Sequence, residues 1–98
     1  MTQQTKKIPR LPEQVEGVRC FGFNIAVLDN GFVYSGDCFI EDKFLLITNC
    51  KNIRQWGTTK GLGELVNGIL PKTVLDEVGQ VSVPIGRLVH LIKCNKIW

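Results

Sequence analysis

The sequence has few of the residues on which catalysis and metal binding depend. Its 98 residues include one histidine and four cysteines, and no two cysteines form a Cys-x-x-Cys pair. Zinc sites need several such side chains at close spacing, so we expect no metal and no other cofactor. His90 stands in the apolar run LVHLIK, where we expect a half-buried structural residue, and the acidic pairs at 41–42 and 76–77 fall in turn-like segments. The sequence therefore predicts a protein that is not an enzyme.

Long apolar runs are also missing. No stretch approaches the roughly 18 apolar residues that cross a membrane. The opening residues, MTQQTKKIPRLPEQ, lack the apolar centre of a secretory signal peptide. We expect a cytoplasmic protein without membrane contact, whose cysteines are reduced and pack in the core.

Aromatic residues and excess charge are both modest. Aromatic residues make up 8% of the chain, and the formal net charge is +3. Proteins that bind nucleic acid strongly carry a dense basic stripe, so the composition disfavours that function. Residues 51–72 concentrate the positive charge, with four cations and one acid. Binding of single-stranded nucleic acid to a small basic barrel stays open as a further alternative.

The sequence does contain the alternation of apolar residues that is typical of strands. Residues 18–28, 32–40 and 44–56 form three such runs. The links between them, at 29–31 and 41–43, are short and polar, as tight turns are. This pattern predicts an antiparallel meander of three strands.

The second half of the chain changes character after Trp56. Apolar residues at helical spacing predict one short helix over residues 62–69. A loop at 72–80 then leads to two further strands, 80–85 and 87–94, or to one long bent strand.

Together these elements predict a mainly β fold with one short helix, built as a small antiparallel barrel or rolled sheet of five to six strands. Residues 1–16 are polar and aperiodic, so we expect a flexible N-terminal arm, followed by a single small β-rich domain over residues 17–98. Trp98 carries a large apolar surface, so we expect it to fold back onto its own chain or to pack against a neighbouring copy.

The stretch KNIRQWGTTKGLGEL, residues 51–65, is the strongest candidate for a ligand site. It matches neither of the glycine motifs G-x-x-x-x-G-K-[ST] and G-x-G-x-x-G. The backbone N–H groups of a glycine-rich loop still attract anions, and an arginine near a tryptophan suits a phosphate and a stacked base. Alternatively, the glycines only permit a turn and the tryptophan belongs to the core. The predicted ligand-binding residues are Tyr34, Arg54, Trp56, Gly57, Thr58, Thr59 and Lys60.

The order of these features resembles that of a family of small uncharacterised bacteriophage proteins. The resemblance rests on GFVYSGDCFIEDKFLLITNCKNIRQW, followed by GTTKGLGEL and by VLDEVGQVSVPIGRLVHLIKC. Members share a strand that ends in a basic residue close to a tryptophan, then a small polar loop, a helix start and a terminal strand that ends in cysteine. The likeness covers residues 31–94. This chain departs from the pattern in its glycine-rich loop and in a basic–aromatic cluster reduced to Arg54 and Trp56.

The resemblance implies a phage origin, the host cytoplasm as location and a small β-rich fold, without an established activity. Small accessory phage proteins that lack catalytic residues often block host defence proteins or sequester nucleotide immune signals. Proteins that sequester such signals tend to be homo-oligomers with cationic and aromatic pockets between subunits. We therefore expect a non-enzymatic anti-defence protein that forms a homo-oligomer and binds a phosphate-bearing, nucleotide-like signalling molecule. The alternative is a protein-binding inhibitor or structural accessory that acts through an exposed sheet edge.

Overall fold

Five antiparallel strands form one sheet in the computed structural model, which describes residues 17–98. The predicted arm over residues 1–16 lies outside the described residues. The spatial order of the strands is β4-β3-β2-β1-β5. Their bounds are β1 Val18–Leu28, β2 Val33–Glu41, β3 Phe44–Gln55, β4 Val74–Pro84 and β5 Leu88–Lys93.

The first three strands confirm the predicted meander, and their ends differ from the expected ones by one residue at most. The turn between β1 and β2 contains Gly31 at φ +91, and the turn between β2 and β3 contains Asp42 at φ +56. Glycine and aspartate are among the residues that tolerate positive φ, so the short polar links reverse the chain at these two places.

Two local predictions for the second half were wrong. The predicted helix over 62–69 is a six-residue 3₁₀ turn, Leu62–Asn67, and residues 17–98 contain no α-helix. Glycines at both ends and inside this segment shorten it to a length at which an α-helix does not sustain itself. The predicted loop at 72–80 is mostly strand, because β4 begins at Val74 and pairs along β3. Pairing with a neighbouring strand overrides its turn-like composition.

A short connection joins the two edges of the sheet. The two edge strands, β4 and β5, are separated by four strand spacings, which amounts to about 19 Å in a flat sheet. Only Ile85–Arg87 lies between them, and even fully extended this link spans roughly 14 Å. The Ile85 N–H donates to the Lys43 carbonyl and the Asp29 N–H to the Arg87 carbonyl, both at 2.8 Å. The sheet therefore bends at this end, but β4 and β5 do not pair, so the predicted barrel is not confirmed.

Both faces of the sheet carry apolar side chains. The first, which we call the Leu45 face, holds the buried residues Ala26, Leu28, Cys38, Leu45, Ile47, Cys50 and Val83. The second, the Ile25 face, contributes Phe23, Ile25, Val33 and Ile53, which pack with Leu62 and Leu65 of the 3₁₀ turn and with Cys94.

Trp98 folds back onto its own chain. Its ring meets Phe23 edge to face, with centroids 5.2 Å apart, and its indole Nε1–H donates to the Leu65 carbonyl at 2.9 Å. Of the two expected positions for this residue, the structure shows the intramolecular one. The C-terminal residues thus cover part of the Ile25 face together with the 3₁₀ turn.

Candidate functional site

The loop after β3 makes the tight turn that its glycines suggest. Gly57 has φ +70, and a Cβ placed on it would lie 2.6 Å from the Thr73 nitrogen. The Thr73 hydroxyl donates to the Trp56 carbonyl at 2.8 Å, which fastens the start of the loop to the segment before β4. A side chain at position 57 would separate these two backbones, so this glycine has a structural role.

The donors of the loop are engaged by a carboxylate of the same chain. Glu64 accepts from the Lys60 N–H at 2.6 Å, the Thr59 N–H at 3.3 Å and the Thr59 hydroxyl at 3.1 Å. Desolvation raises the pKa of Glu64, but these hydrogen bonds outweigh it and hold that pKa below its ordinary value. The predicted anion-binding loop does hold an anion, and that anion is its own glutamate.

A sequence signal for this contact exists. Glu64 stands three residues after Gly61, the residue that precedes the 3₁₀ turn. A glutamate at that spacing commonly reaches back to the N–H groups at a helix start. Here it reaches one and two residues further, to Lys60 and Thr59.

Two of the predicted residues come together on the Leu45 face. Tyr34 on β2 pairs with Asn52 on β3, which in turn pairs with Asp76 on β4. Arg54 follows Asn52 by two residues and so lies on the same face. Phe32 occupies the matching position before β2, with its ring centroid 6.0 Å from that of Tyr34.

Arg54 forms an exposed bidentate ion pair with Asp76. Its Nε lies 2.8 Å from Oδ2 and its Nη2 lies 3.3 Å from Oδ1. The hydrogen bond raises the pKa of Arg54 and lowers the pKa of Asp76. A guanidinium has five N–H donors, so this pair leaves three of them for another acceptor. The two side chains keep 64% and 46% of their surface exposed.

An open pocket of about 200 Å³ lies between the start of β2 and the end of β3. We call it the Arg54 pocket; it is lined by Gly31, Phe32, Val33, Asn52, Ile53 and Arg54. The Asn52 amide Nδ2 donates to the Val33 carbonyl at 3.3 Å, which fixes the orientation of that side chain. The pocket therefore combines a half-exposed phenylalanine ring, an amide and a guanidinium.

Pairing of β3 with β4 lowers the local positive charge. Residues 51–72 alone carry four cations and one acid, but β4 places Asp76 beside Arg54 on the Leu45 face and Glu77 beside Lys51 on the opposite face. Lys51 Nζ lies 3.8 Å from Glu77 Oε2. Within residues 17–98, Lys60 and Lys72 have no ion-pair partner at salt-bridge distance. The charge available to an incoming anion is thus concentrated on these two lysines.

Of the predicted ligand-binding residues, Arg54 lines the pocket, and the others, Tyr34 included, do not. Trp56 is 41% exposed, so it is not a core residue, but it does not line the Arg54 pocket. The loop residues Gly57 to Lys60 lie along the reverse turn beside Glu64. His90, expected to be half-buried, is exposed on the edge strand β5. The alternation pattern missed Phe32, Asn52 and Asp76 as possible ligand contacts.

These features define a small, mainly β protein with an open aromatic–polar pocket on one sheet face. No protein-family model, no curated protein and no solved structure matches the chain. In the described part of the chain, no helix is long and apolar enough to cross a membrane. Over the same residues, no three His, Cys, Asp or Glu side chains are grouped so as to hold a metal ion.

Proposed function

We propose that this is a non-enzymatic phage accessory protein that captures a phosphate-bearing, nucleotide-like signalling molecule in the host cytoplasm. The observation that supports it is the Arg54 pocket, which is lined both by the half-exposed Phe32 and by Arg54, whose guanidinium keeps donors that Asp76 does not use. An aromatic ring offers a stacking surface for a base, and a guanidinium donates to the acceptors on the base or on the phosphate. The phage origin rests on the sequence resemblance alone.

The charge pattern separates the roles of the cations. The charge of Arg54 is balanced by Asp76, so Arg54 contributes directional hydrogen bonds more than net positive charge. Lys60 lies in the loop that follows β3. Lys72 lies close to the end of β3, because its carbonyl accepts a hydrogen bond from the Gln55 side chain at 2.8 Å. The two lysines supply the positive charge that attracts a phosphate to this end of the sheet.

Homo-oligomerisation is part of the proposal, because one copy offers too small a cavity. A volume of about 200 Å³ falls below the roughly 300–1,000 Å³ of pockets that enclose a small molecule, and this pocket is open to solvent. Slow release requires that the ligand be largely buried. A second copy that packs over Phe32 provides that cover.

Native mass spectrometry with AMP, GMP and ADP-ribose as probes tests the proposal. We expect a retained adduct and roughly tenfold or more weaker retention in Arg54→Ala, which removes donors that line the pocket. Lys60→Ala is expected to weaken retention as well, because it removes positive charge from the neighbouring loop. Arg87→Ala is the matched control, since Arg87 is equally exposed and also pairs with an aspartate, but it does not line the pocket. If no probe is retained at millimolar concentration, or if Arg54→Ala retains the probes as the parent does, the proposal fails.

Sedimentation of the same samples tests the shared pocket. We expect a dimer or larger assembly that Phe32→Asp weakens, because an unpaired charge at position 32 would have to be buried between the two copies. A parent protein that sediments as a monomer with and without bound nucleotide would exclude a pocket between copies.

The second candidate function is protein binding through the edge strand β4. Residues 77–80 of this strand are exposed, Val78 by 44%, and among residues 17–98 no strand pairs with its outer side. An exposed edge of this kind accepts an extended segment of another protein. Under this function, Val78→Pro abolishes partner capture and leaves nucleotide retention unchanged. Single-strand binding, the third function, predicts steeply salt-dependent retention on oligonucleotide resin.

A further inference from the structure

We infer that the base recognised at the Arg54 pocket is guanine, read jointly by Arg54 and Asp76. This inference rests on the proposed function and names its ligand class more narrowly. The Arg54–Asp76 ion pair is half-exposed, and it lies on the same sheet face as the Phe32 ring, which lines the pocket together with Arg54.

The pair offers donors and acceptors to a third group at the same time. Nε and one Nη2 hydrogen of Arg54 are used, which leaves the Nη1 hydrogens and the second Nη2 hydrogen. Each oxygen of Asp76 accepts one hydrogen bond from Arg54 and retains capacity for another. A planar ligand edge that carries an acceptor beside donors therefore complements both side chains together.

The bases differ in how well they match this arrangement. The Watson–Crick edge of guanine presents the O6 acceptor, then the N1–H and N2–H donors. The guanidinium donates to O6 while the carboxylate accepts from N1–H and N2–H, which gives three bonds. Adenine offers one donor and one acceptor on that edge and makes two bonds. Cytosine offers one donor and two acceptors, so it can donate only one hydrogen bond to the carboxylate. The third bond is charge-assisted, and such bonds are the strong ones.

The near-neutral charge of the surface favours a base over a phosphate at this point. Asp76 balances the charge of Arg54, so the part of the pocket that Arg54 lines presents little net charge. A phosphate brought to Arg54 would meet the Asp76 carboxylate within one hydrogen-bond length of the guanidinium. A neutral base meets no such repulsion, and its ring has Phe32 available for stacking.

The same base chemistry occurs in free nucleotides and in single-stranded nucleic acid, and we assign the site to the free nucleotide. Isothermal titration with GMP, IMP and AMP provides the test, since IMP differs from GMP only by the missing N2 amino group. We expect GMP to bind about tenfold or more tightly than IMP, with AMP no tighter than IMP. A pentanucleotide containing one guanine is the third arm, expected to bind no more tightly than GMP and without a steep salt dependence.

Asp76→Asn replaces one acceptor oxygen by a donor and is expected to remove the preference for GMP over IMP. Asp76→Glu keeps the carboxylate and is expected to retain part of it. Asp29→Asn is the control, because Asp29 belongs to the other exposed Arg–Asp pair, at 3.3 Å from Arg87, and Arg87 does not line the pocket whereas Arg54 does. Circular dichroism of each variant verifies the fold.

The outcomes distinguish a failure of the guanine assignment from a failure of the proposed function. Equal binding of GMP and IMP, tighter binding of AMP, or a preference that survives in Asp76→Asn overturns the guanine assignment and leaves the proposed function standing. Failure of all three nucleotides to bind overturns both. Salt-sensitive binding of the pentanucleotide that exceeds GMP binding assigns the site to nucleic acid instead.

Discussion

Gly36 lies where the β3 backbone comes close to β2, and its replacement by alanine is a sharp test of the fold. A Cβ at this position would lie 2.5 Å from the Ile47 Cγ2 atom, 2.7 Å from the Thr48 carbonyl oxygen and 3.3 Å from the Cys50 Cα. Two of these three contacts are shorter than any that real Cβ atoms make, and two of the three are with backbone. A flexible side chain can swing away, but a backbone carbonyl in a paired strand cannot.

The close approach has an identifiable cause in the strand register. Ser35 pairs with Lys51 and Asp37 pairs with Thr48, so β3 contains one more residue than β2 over this interval. The extra residue forms a bulge in which Asn49 adopts φ +51. The bulge brings the β3 backbone toward position 36, where only a residue without a side chain fits.

Gly36→Ala is therefore expected to lower the free energy of unfolding by about 2 kcal/mol, within the 1–3 kcal/mol typical of overpacked cores. For a domain of this size, that corresponds to a melting temperature lower by roughly 8–16 °C. Differential scanning calorimetry of the parent and the variant measures the shift directly.

Gly63→Ala provides the matched control. Gly63 lies in the 3₁₀ turn with a negative φ, and a Cβ there meets nothing within 4 Å. We expect this variant to melt at or slightly above the parent temperature, because alanine restricts the unfolded chain. If Gly36→Ala melts within about 2 °C of Gly63→Ala, the strand register that we describe around the bulge is incorrect.

Three further predictions concern buried and titrating groups. The Ser35 hydroxyl is buried without a hydrogen-bond partner, so Ser35→Ala should leave the urea midpoint unchanged or raise it by the equivalent of about 1 kcal/mol. The pKa values of Glu64 and Asp76 are lower in the folded state than their unfolded values near 4.5 and 3.8. The stability that these two carboxylates contribute is therefore complete above the unfolded values and is lost as pH falls through the folded ones. In urea unfolding between pH 7 and 3, the free energy of unfolding of the Glu64→Gln, Asp76→Asn double variant should fall less steeply with acid than that of the parent. Burial raises the pKa values of the Cys38 and Cys50 thiols to about 12, so Ellman's reagent at pH 8 should modify them only after denaturant is added.

Sequence periodicity predicted the part of the fold that depends on local pattern. The runs that became β1, β2 and β3 alternate strongly and are joined by short polar turns, so both their existence and their antiparallel order followed from the sequence. The strand beginning at Val74 was missed because its residues, VLDEVGQ, are polar and turn-like. Its conformation is set by β3, and a partner strand is not visible in a local window.

The site was predicted in part, for a similar reason. Arg54 and Tyr34 lie in neighbouring strands on one face, as a ligand site requires. That Asp76 lies close to Arg54 depends on the pairing of β3 with β4. Local chemistry marked the loop around Lys60 as attractive to an anion, and its binding of a ligand stays a prediction. The sequence did not show that Glu64 is close enough to be that anion, because its reach depends on the 3₁₀ geometry.

The link of three residues between the sheet edges has a consequence for the order of folding. The four strands β1 to β4 pair with their neighbours in the chain, so these contacts close short loops early. The fifth strand pairs only with the first, as in the contact of Asn24 with Lys93, which joins distant parts of the chain. We therefore expect its docking, and with it the packing of Trp98 on Phe23, to follow the pairing of the other four strands, because it closes the longest loop.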